Sequence, residues 1–127
     1  MLPAEPAEPI LDESVLAELL ATTGDDAAFV RELVETYLAE APAQLDGIAA
    51  AFRDADASAL VRPAHTLKSS SATLGAARLS AVARRLEMAG RSGELDETAT
   101  ADLATVQDEW SAASQAFAAW LAAEPSR

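Results

Sequence analysis

The sequence predicts an all-α protein: an antiparallel up-and-down four-helix bundle with a short additional helix at its N-terminal end. Two observations favour helix over sheet. Alanine is abundant in a chain that is 50% hydrophobic, whereas aromatic residues make up only 5% of it, and this composition is typical of helices. Apolar residues also recur at spacings of three and four along four long segments, which is the period of a buried helix face. The length of 127 residues fits one domain.

The N-terminal end is predicted to hold a tail and a short helix. Residues 1–9 repeat Pro, Ala and Glu, and we expect them to form a disordered tail, since they have little apolar surface to bury. A helical domain is expected over residues 10–123. Its first helix runs from about Asp12 to Thr22, with Asp12 as the N-cap, and ends at Gly24.

The second and third helices follow from two further apolar stripes. One runs from about Asp26 to Arg53, and Pro42 inside it predicts a bend or a restart. The other spans about Ala57 to Leu74, where Pro63 either bends the start or marks the true first turn. The stripe residues of these two helices are Val30, Val34, Leu38, Ala41, Leu45, Ile48 and Phe52, then Leu60, Ala64, Leu67, Ser71 and Leu74.

The last two helices complete the predicted bundle. The fourth is expected over about Ala76 to Arg91, followed by a turn over residues 90–93, which contain two glycines. The fifth begins near Asp96, a predicted N-cap, and runs to about Ala122. Their inner faces comprise Leu79, Val82, Leu86 and Ala89, then Leu103, Val106, Trp110, Ala113, Phe117 and Trp120. Four long amphipathic helices joined by short links favour an antiparallel bundle.

Composition and charge exclude several classes of function. The chain has no cysteine, which excludes disulfides, thiolate metal sites and thiol nucleophiles. No apolar run is long enough to span a bilayer, and the N-terminus lacks the pattern of a signal peptide. A cytoplasmic protein that does not bind membranes is therefore expected. The net charge of -12 disfavours nucleic acid as a partner, because phosphates would be repelled.

The chain contains a single histidine, His65, in the third predicted helix. At about 100° per residue, His65 lies about 140° from Leu60, so its imidazole is expected on the outward side of the helix. No second histidine or cysteine is available for a metal site or a catalytic triad. Phosphoryl transfer, in contrast, needs in-line access to a nucleophile and positive charge near the transferred oxygens. An outward His65 and Lys68, one turn later, supply these two requirements.

The segment that follows this histidine carries a family motif. Residues 65–76 read HTLKSSSATLGA, which resembles the histidine-containing phosphotransfer family, the Hpt domains of multistep phosphorelays. The family often has glycine where this chain has Ser69, a mild departure because both residues are small. The resemblance extends over about residues 10–122. The matching positions of the motif are His65, Lys68, Ser70, Ser71, Leu74 and Gly75.

The resemblance implies roles for several side chains. It makes His65 the phosphoacceptor and Lys68 the group that stabilises the phosphate. Arg91, at the end of the fourth helix, is similar in place to an arginine found near the phosphohistidine in some members, and is a further catalytic candidate. Glu40 lies near the predicted bend of the second helix, where some relatives place a polar side chain close to the histidine.

Other residues are assigned to structure or to docking. Ser70 and Ser71 are interpreted as structural, and Gly75 as the helix end. Residues 62–91 hold six basic residues and one acidic residue, a net charge of +5, whereas the rest of the chain carries -17. Because the phosphorylation pocket of a receiver domain is acidic, this basic segment predicts electrostatic docking. The predicted docking residues are Arg62, Ser69, Ala72, Arg84 and Arg85.

The function expected from the resemblance is that of a phosphocarrier, which receives a phosphoryl group on His65 from one receiver-domain aspartate and passes it to another. The chain has no glycine-rich phosphate loop or kinase nucleotide motif, so it is not expected to be an enzyme. No cofactor or metal is expected on this chain, and Mg²⁺ is expected only on the partner receiver domain. Response-regulator receiver domains and/or a hybrid histidine kinase are the expected partners of a free-standing monomer. Two alternatives stay open: the phospho-accepting domain of a chemotaxis-type kinase, and a helical adaptor that is not phosphorylated.

Overall fold

The computed structural model describes residues 9–123 and is all-helical over that range, which confirms the predicted fold class. Of the predicted tail, residues 1–8 lie outside the described residues. A short 3-10 helix, Ala57–Leu60, precedes α3. The five α-helices are α1 (Glu13–Thr22), α2 (Ala27–Arg53), α3 (Val61–Leu74), α4 (Ala77–Ser92) and α5 (Glu97–Ala123).

Helices α2 to α5 form the predicted antiparallel bundle. Each packs against the next along the chain, and α5 closes the bundle against α2, while the short α1 contacts α2 and α3. Helix α3, which carries the single histidine, therefore lies diagonally across from α5. Every helix contributes at least one apolar side chain to the core. These buried side chains include Leu16, Val30, Val34, Ile48, Leu60, Leu67, Leu79, Leu86, Val106 and Phe117.

The predicted starts of the first and last helices agree with the structure. The carboxylate of Asp12 accepts a hydrogen bond from the Ser14 backbone N–H at 3.0 Å, and that of Asp96 accepts one from Ala99 at 2.9 Å. Both aspartates therefore satisfy a backbone donor that the first turn leaves without a helical partner. The predicted N-caps of the first and last helices are thus confirmed.

The core of α2 includes a residue that the predicted stripe omits. Tyr37 is buried, whereas its neighbour Leu38 is only half-buried. The Tyr37 hydroxyl lies 2.8 Å from the Ser71 hydroxyl, and burial raises the pKa of Tyr37 to about 12. Its ring packs edge-on against Trp110 and Phe117, with ring centroids 5.5 and 5.3 Å apart. Tyr37 thus joins α2 to both α3 and α5 at one level of the bundle.

The structure corrects the predicted start of the third helix and the predicted restart at Pro42, and it confirms that Pro63 marks the true first turn of α3. The third helix does not begin as an α-helix: residues 57–60 form the 3-10 helix, and Asp56 caps it by accepting from the Ala59 N–H at 3.3 Å. Pro63 then lies in the first turn of α3. Backbone N–H groups in the first turn have no acceptor within the helix, so the absence of an N–H at proline costs no hydrogen bond there. Of the bend or restart predicted at Pro42, the restart is wrong, because α2 continues through this residue from Ala27 to Arg53; the bend stays a prediction.

The predicted turn over residues 90–93 is also wrong, because α4 continues to Ser92 and ends at the left-handed Gly93. Gly90 lies inside the helix and is buried. A Cβ at this position would lie 2.9 Å from both the Ala57 carbonyl oxygen and Val61 Cγ2. Gly90 is therefore a packing glycine that lets α4 approach the start of α3 closely.

Gly75 is expected to be the least replaceable glycine of the fold. It ends α3 with φ +94°, and a Cβ there would lie 2.6 Å from the Asp12 carbonyl oxygen. Gly75→Ala combines left-handed strain with this clash, so we expect it to lower the free energy of unfolding by about 3 kcal/mol. Gly93→Ala is the matched control: its φ is +84°, yet nothing lies within 4 Å of its Cβ, so only about 1 kcal/mol is expected. Urea titrations giving equal losses for the two variants would contradict this account.

Candidate functional site

His65 lies in the second turn of α3, and its side chain is 53% exposed. One edge of the imidazole contacts the protein: Nδ1 lies 3.0 Å from Oε2 of Glu87 on α4. The carboxylate therefore holds Nδ1. Nε2, on the opposite side of the ring, points away from that carboxylate. The outward placement predicted from the helical wheel is what the structure shows.

Glu87 is the residue around which the site is organised. Its side chain is only 6% exposed, yet it meets three cationic or proton-donating groups. Nζ of Lys68 lies 2.7 Å from Oε1, and Arg91 donates to Oε2 from Nη2 at 2.7 Å and from Nε at 3.1 Å. The Lys68 ammonium first, and then the Arg91 guanidinium, lower the pKa of Glu87 to about 2. The carboxylate is therefore ionised at neutral pH.

This arrangement determines which imidazole nitrogen is available for chemistry. An ionised carboxylate can only accept a hydrogen bond, so the contact with Oε2 places the ring proton on Nδ1. In the neutral ring, Nε2 then carries the lone pair. The site can accordingly present a nucleophilic nitrogen to an incoming group while Glu87 holds the ring in one orientation.

Glu87 was not predicted as a site residue from the sequence, where it counts only as the single acidic residue of a basic segment. Two features of the sequence could have identified it. It lies four residues after Ala83 and three before Gly90, a spacing that places it on the inner face of α4. It also lies four residues before Arg91, at ion-pairing distance along a helix. A buried carboxylate among several cations is common at functional sites.

Lys68 and Arg91 are brought to His65 by the same carboxylate. Lys68 is 28% and Arg91 60% exposed in their side chains, so both cations can reach a group bound at the surface. Ser80 on α4 donates to the Lys68 carbonyl oxygen at 2.9 Å, which ties this turn of α3 to α4. Their roles in stabilising a phosphate stay predictions; the structure shows that both cations share Glu87 with His65.

The remaining residues taken from the motif lie away from the imidazole. Ser71 is buried against Tyr37, and the Ser70 hydroxyl donates to the Thr66 carbonyl at 3.0 Å. Glu40 is exposed on α2 and lines a groove with Ser70. Among the described residues, Glu40 forms no hydrogen bond or ion pair with His65. The prediction that Glu40 lies close to the histidine therefore has no support in the structure.

The basic segment is partly neutralised by α5. Arg78 pairs with Glu109 at 2.8 Å and Arg85 with Asp102 at 3.1 Å. These two carboxylates reduce the local charge from the +5 counted along the sequence to +3. The residues predicted to contact a partner are all exposed, namely Arg62, Ser69, Ala72, Arg84 and Arg85.

Residues 9–123 contain neither a metal-binding cluster nor a membrane-spanning helix. No group of three or more His, Cys, Asp or Glu side chains there is arranged to hold a metal ion. Over the same range, no helix combines the length and apolarity needed to cross a bilayer.

Comparisons with known proteins point to one family. The family model of the Hpt domain matches residues 32–117, a range that includes His65, Lys68 and Glu87. The fold is similar to the crystal structure of histidine-containing phosphotransfer protein B (HptB) from Pseudomonas aeruginosa PAO1, with a TM-score of 0.81 and 29% identity over 92% of this chain and 98% of that one. No curated protein sequence gives a significant match.

Proposed function

This chain belongs to the Hpt domain family, and we propose from that premise that His65 accepts a phosphoryl group from the aspartate of one receiver domain and passes it to the aspartate of another. The chain is a histidine phosphotransfer protein of a phosphorelay. The observation that carries the proposal is the pairing of an exposed imidazole with a buried, ionised Glu87, whose Oε2 lies 3.0 Å from Nδ1.

The proposed transfer step uses the groups of the site as follows. The Nε2 lone pair of His65 attacks the phosphorus of the aspartyl phosphate in line with the bond to the carboxylate oxygen. A nitrogen–phosphorus bond forms, the oxygen–phosphorus bond breaks, and the aspartate leaves as a carboxylate. The Nδ1 proton stays on the ring, which becomes positively charged, and the Glu87 carboxylate stabilises that charge. Delivery to the next aspartate is the reverse of this step.

Lys68 is proposed to stabilise the transferred phosphoryl group. Its ammonium pairs with Oε1 of Glu87 at 2.7 Å, and a phosphoryl group on Nε2 would bring a second anion within reach of the same flexible side chain. Lys68→Ala is therefore expected to slow transfer about tenfold, less than the loss of a fully buried donor. Lys68→Arg is the control that keeps the charge. Equal single-turnover rates for the wild type and Lys68→Ala would show that Lys68 only pairs with Glu87 and does not stabilise the phosphoryl group.

The proposal also covers partners and compartment. Response-regulator receiver domains and/or a hybrid histidine kinase exchange phosphate with the chain, which acts as a monomer without a cofactor, and any Mg²⁺ is held by the receiver. The chain is a carrier and not a catalyst of ATP hydrolysis, because its sequence has no nucleotide-binding motif. A cytoplasmic location follows, since exchange requires the compartment in which phosphorylated receivers are made.

The donor distinguishes this function from its alternatives. The chain is incubated either with a radiolabelled phospho-receiver domain or with a histidine kinase catalytic domain and ATP. We expect rapid labelling from the phospho-receiver and return of the label to a second receiver. Labelling from the kinase domain alone would instead indicate the substrate domain of a chemotaxis-type kinase, and no labelling from either donor would indicate an adaptor.

A further inference from the structure

The outer face of α4 carries an exposed ridge next to the site. Ala81, Arg84 and Met88 recur at spacings of three and four, so they share one side of the helix, and all three are exposed. The Met88 side chain is 55% exposed. Within residues 9–123, the other large hydrophobic residue exposed to a comparable degree is Phe29, at the start of α2. We call Ala81, Arg84 and Met88 the α4 ridge.

The ridge borders the histidine site. On a helical wheel, Arg84 and Met88 lie about 60° and 100° from Glu87, the residue that holds His65. Arg84 and Lys68 also line the same groove of about 570 Å³ between α3, α4 and the start of α1, whose other walls include Ser69, Ala72 and Asp12. The groove therefore connects Lys68, which shares Glu87 with His65, to Ala81 and Arg84 of the ridge.

The charge on the ridge is uncompensated, unlike most of the basic segment. Four of the six basic residues between positions 62 and 91 pair with carboxylates of the fold: Lys68, Arg78, Arg85 and Arg91. Arg84 forms no ion pair with any described residue. A free guanidinium next to an exposed methionine can attract an acidic group and pack against an apolar one, because the methionine side chain adapts its shape.

We propose that the α4 ridge is a docking surface for the receiver domain that exchanges phosphate with His65, an inference that rests on the proposed function. A receiver pocket must hold carboxylates around its phosphorylated aspartate, and Arg84 would face that acidic rim while Met88 packs on the apolar surface beside it. An interface of ordinary size buries about 800 Å² on each partner, equivalent to a radius of about 16 Å. Since packed helices lie about 8–10 Å apart, a footprint centred on His65 reaches the ridge of the neighbouring helix.

The test uses the receiver domain of the same genome that exchanges phosphate fastest with the wild type, phosphorylated with acetyl phosphate. Second-order rate constants are measured at low and high ionic strength. We expect Arg84→Glu to lower the rate constant about tenfold at low salt, and this difference to shrink at high salt. Met88→Ala should lower it about threefold to tenfold at either salt concentration, and Met88→Leu should restore it. Transfer at saturating receiver should be unchanged in all three variants, because the ridge does not touch the reacting atoms.

The control variant is the double change Gln107→Glu and Gln115→Glu. It alters the net charge by the same amount as Arg84→Glu, at exposed positions of α5, a helix that does not contact α3. Its rate constant should stay within about twofold of the wild type. Wild-type rates for both Arg84→Glu and Met88→Ala, or an equal loss in the α5 control, would overturn the docking surface and leave the phosphocarrier function standing. Failure of the wild type to accept phosphate from any receiver would instead overturn the proposed function, and the docking surface with it.

Discussion

Replacing His65 by glutamine is expected to abolish phosphoryl acceptance, with a loss of at least about a thousandfold in rate. His65 is the only histidine of the chain, and its Nε2 is the nucleophile of the proposed step. Glutamine can still donate from its amide to Glu87, so the variant removes the nucleophile without emptying the hydrogen-bonding position. Because the His65 side chain is 53% exposed, the fold should be retained, as circular dichroism and the urea midpoint would show.

The chemistry of the adduct provides a second check on this result. A phosphoryl group on an imidazole nitrogen is labile in acid and stable in alkali, whereas a phosphoserine ester resists acid. The wild type labelled by a phospho-receiver should therefore lose its label in acid. Label on the His65→Gln variant, or acid-stable label on the wild type, would show that another residue accepts the phosphoryl group, such as one of the serines that follow His65.

The second large effect is expected at Glu87. Glu87→Ala removes the acceptor of the Nδ1 proton and the carboxylate that offsets the charge on the ring, so we expect transfer to slow by about a hundredfold. The same change leaves the imidazole free to rotate and leaves Lys68 and Arg91 without their shared partner at 2.7 Å. These two cations are partly exposed and can be hydrated, so the loss should fall on the rate more than on the fold.

Glu87→Gln separates orientation from charge. Its amide oxygen can accept from Nδ1–H but carries no negative charge, so we expect a rate between those of the wild type and Glu87→Ala. Single-turnover rates at saturating phospho-receiver measure the chemical step, and urea titration of each variant measures stability. A Glu87→Ala protein that is as stable as the wild type and transfers phosphate at the same rate would show that Glu87 does not act on the imidazole.

Much of the fold was accessible from the sequence because its helices are amphipathic and because α1, α2 and α5 begin at capping aspartates. The apolar spacing located the helices, and the motif that begins at His65 pointed to His65 and Lys68, which the structure brings to one carboxylate. The departures arise from contacts between helices. Glycine is usually a helix terminator, but Gly90 is required inside α4 because it contacts the Ala57 carbonyl, a contact between segments that are distant in the chain.

Glu87 shows why the site could be predicted only in part. A carboxylate on the inner face of a helix is unfavourable in isolation, so single-helix patterns do not favour it. Its burial is stabilised by Lys68 from α3 and by Arg91 from the next turn of α4, and this combination exists only after the two helices pack. The periodicity of α4 places Glu87 on the inner face, but it does not show that Lys68 of another helix meets the carboxylate there.

The most direct test of the account is the position of the phosphoryl group on the imidazole ring. The wild type is isotope-labelled at its histidine nitrogens, phosphorylated by a phospho-receiver, and examined by heteronuclear NMR for coupling between phosphorus and each ring nitrogen. The Nδ1 contact with Glu87 at 3.0 Å predicts coupling to Nε2 alone, with Nδ1 still protonated. Phosphorus bonded to Nδ1 would contradict the account, because it would require the imidazole to leave Glu87 before reacting.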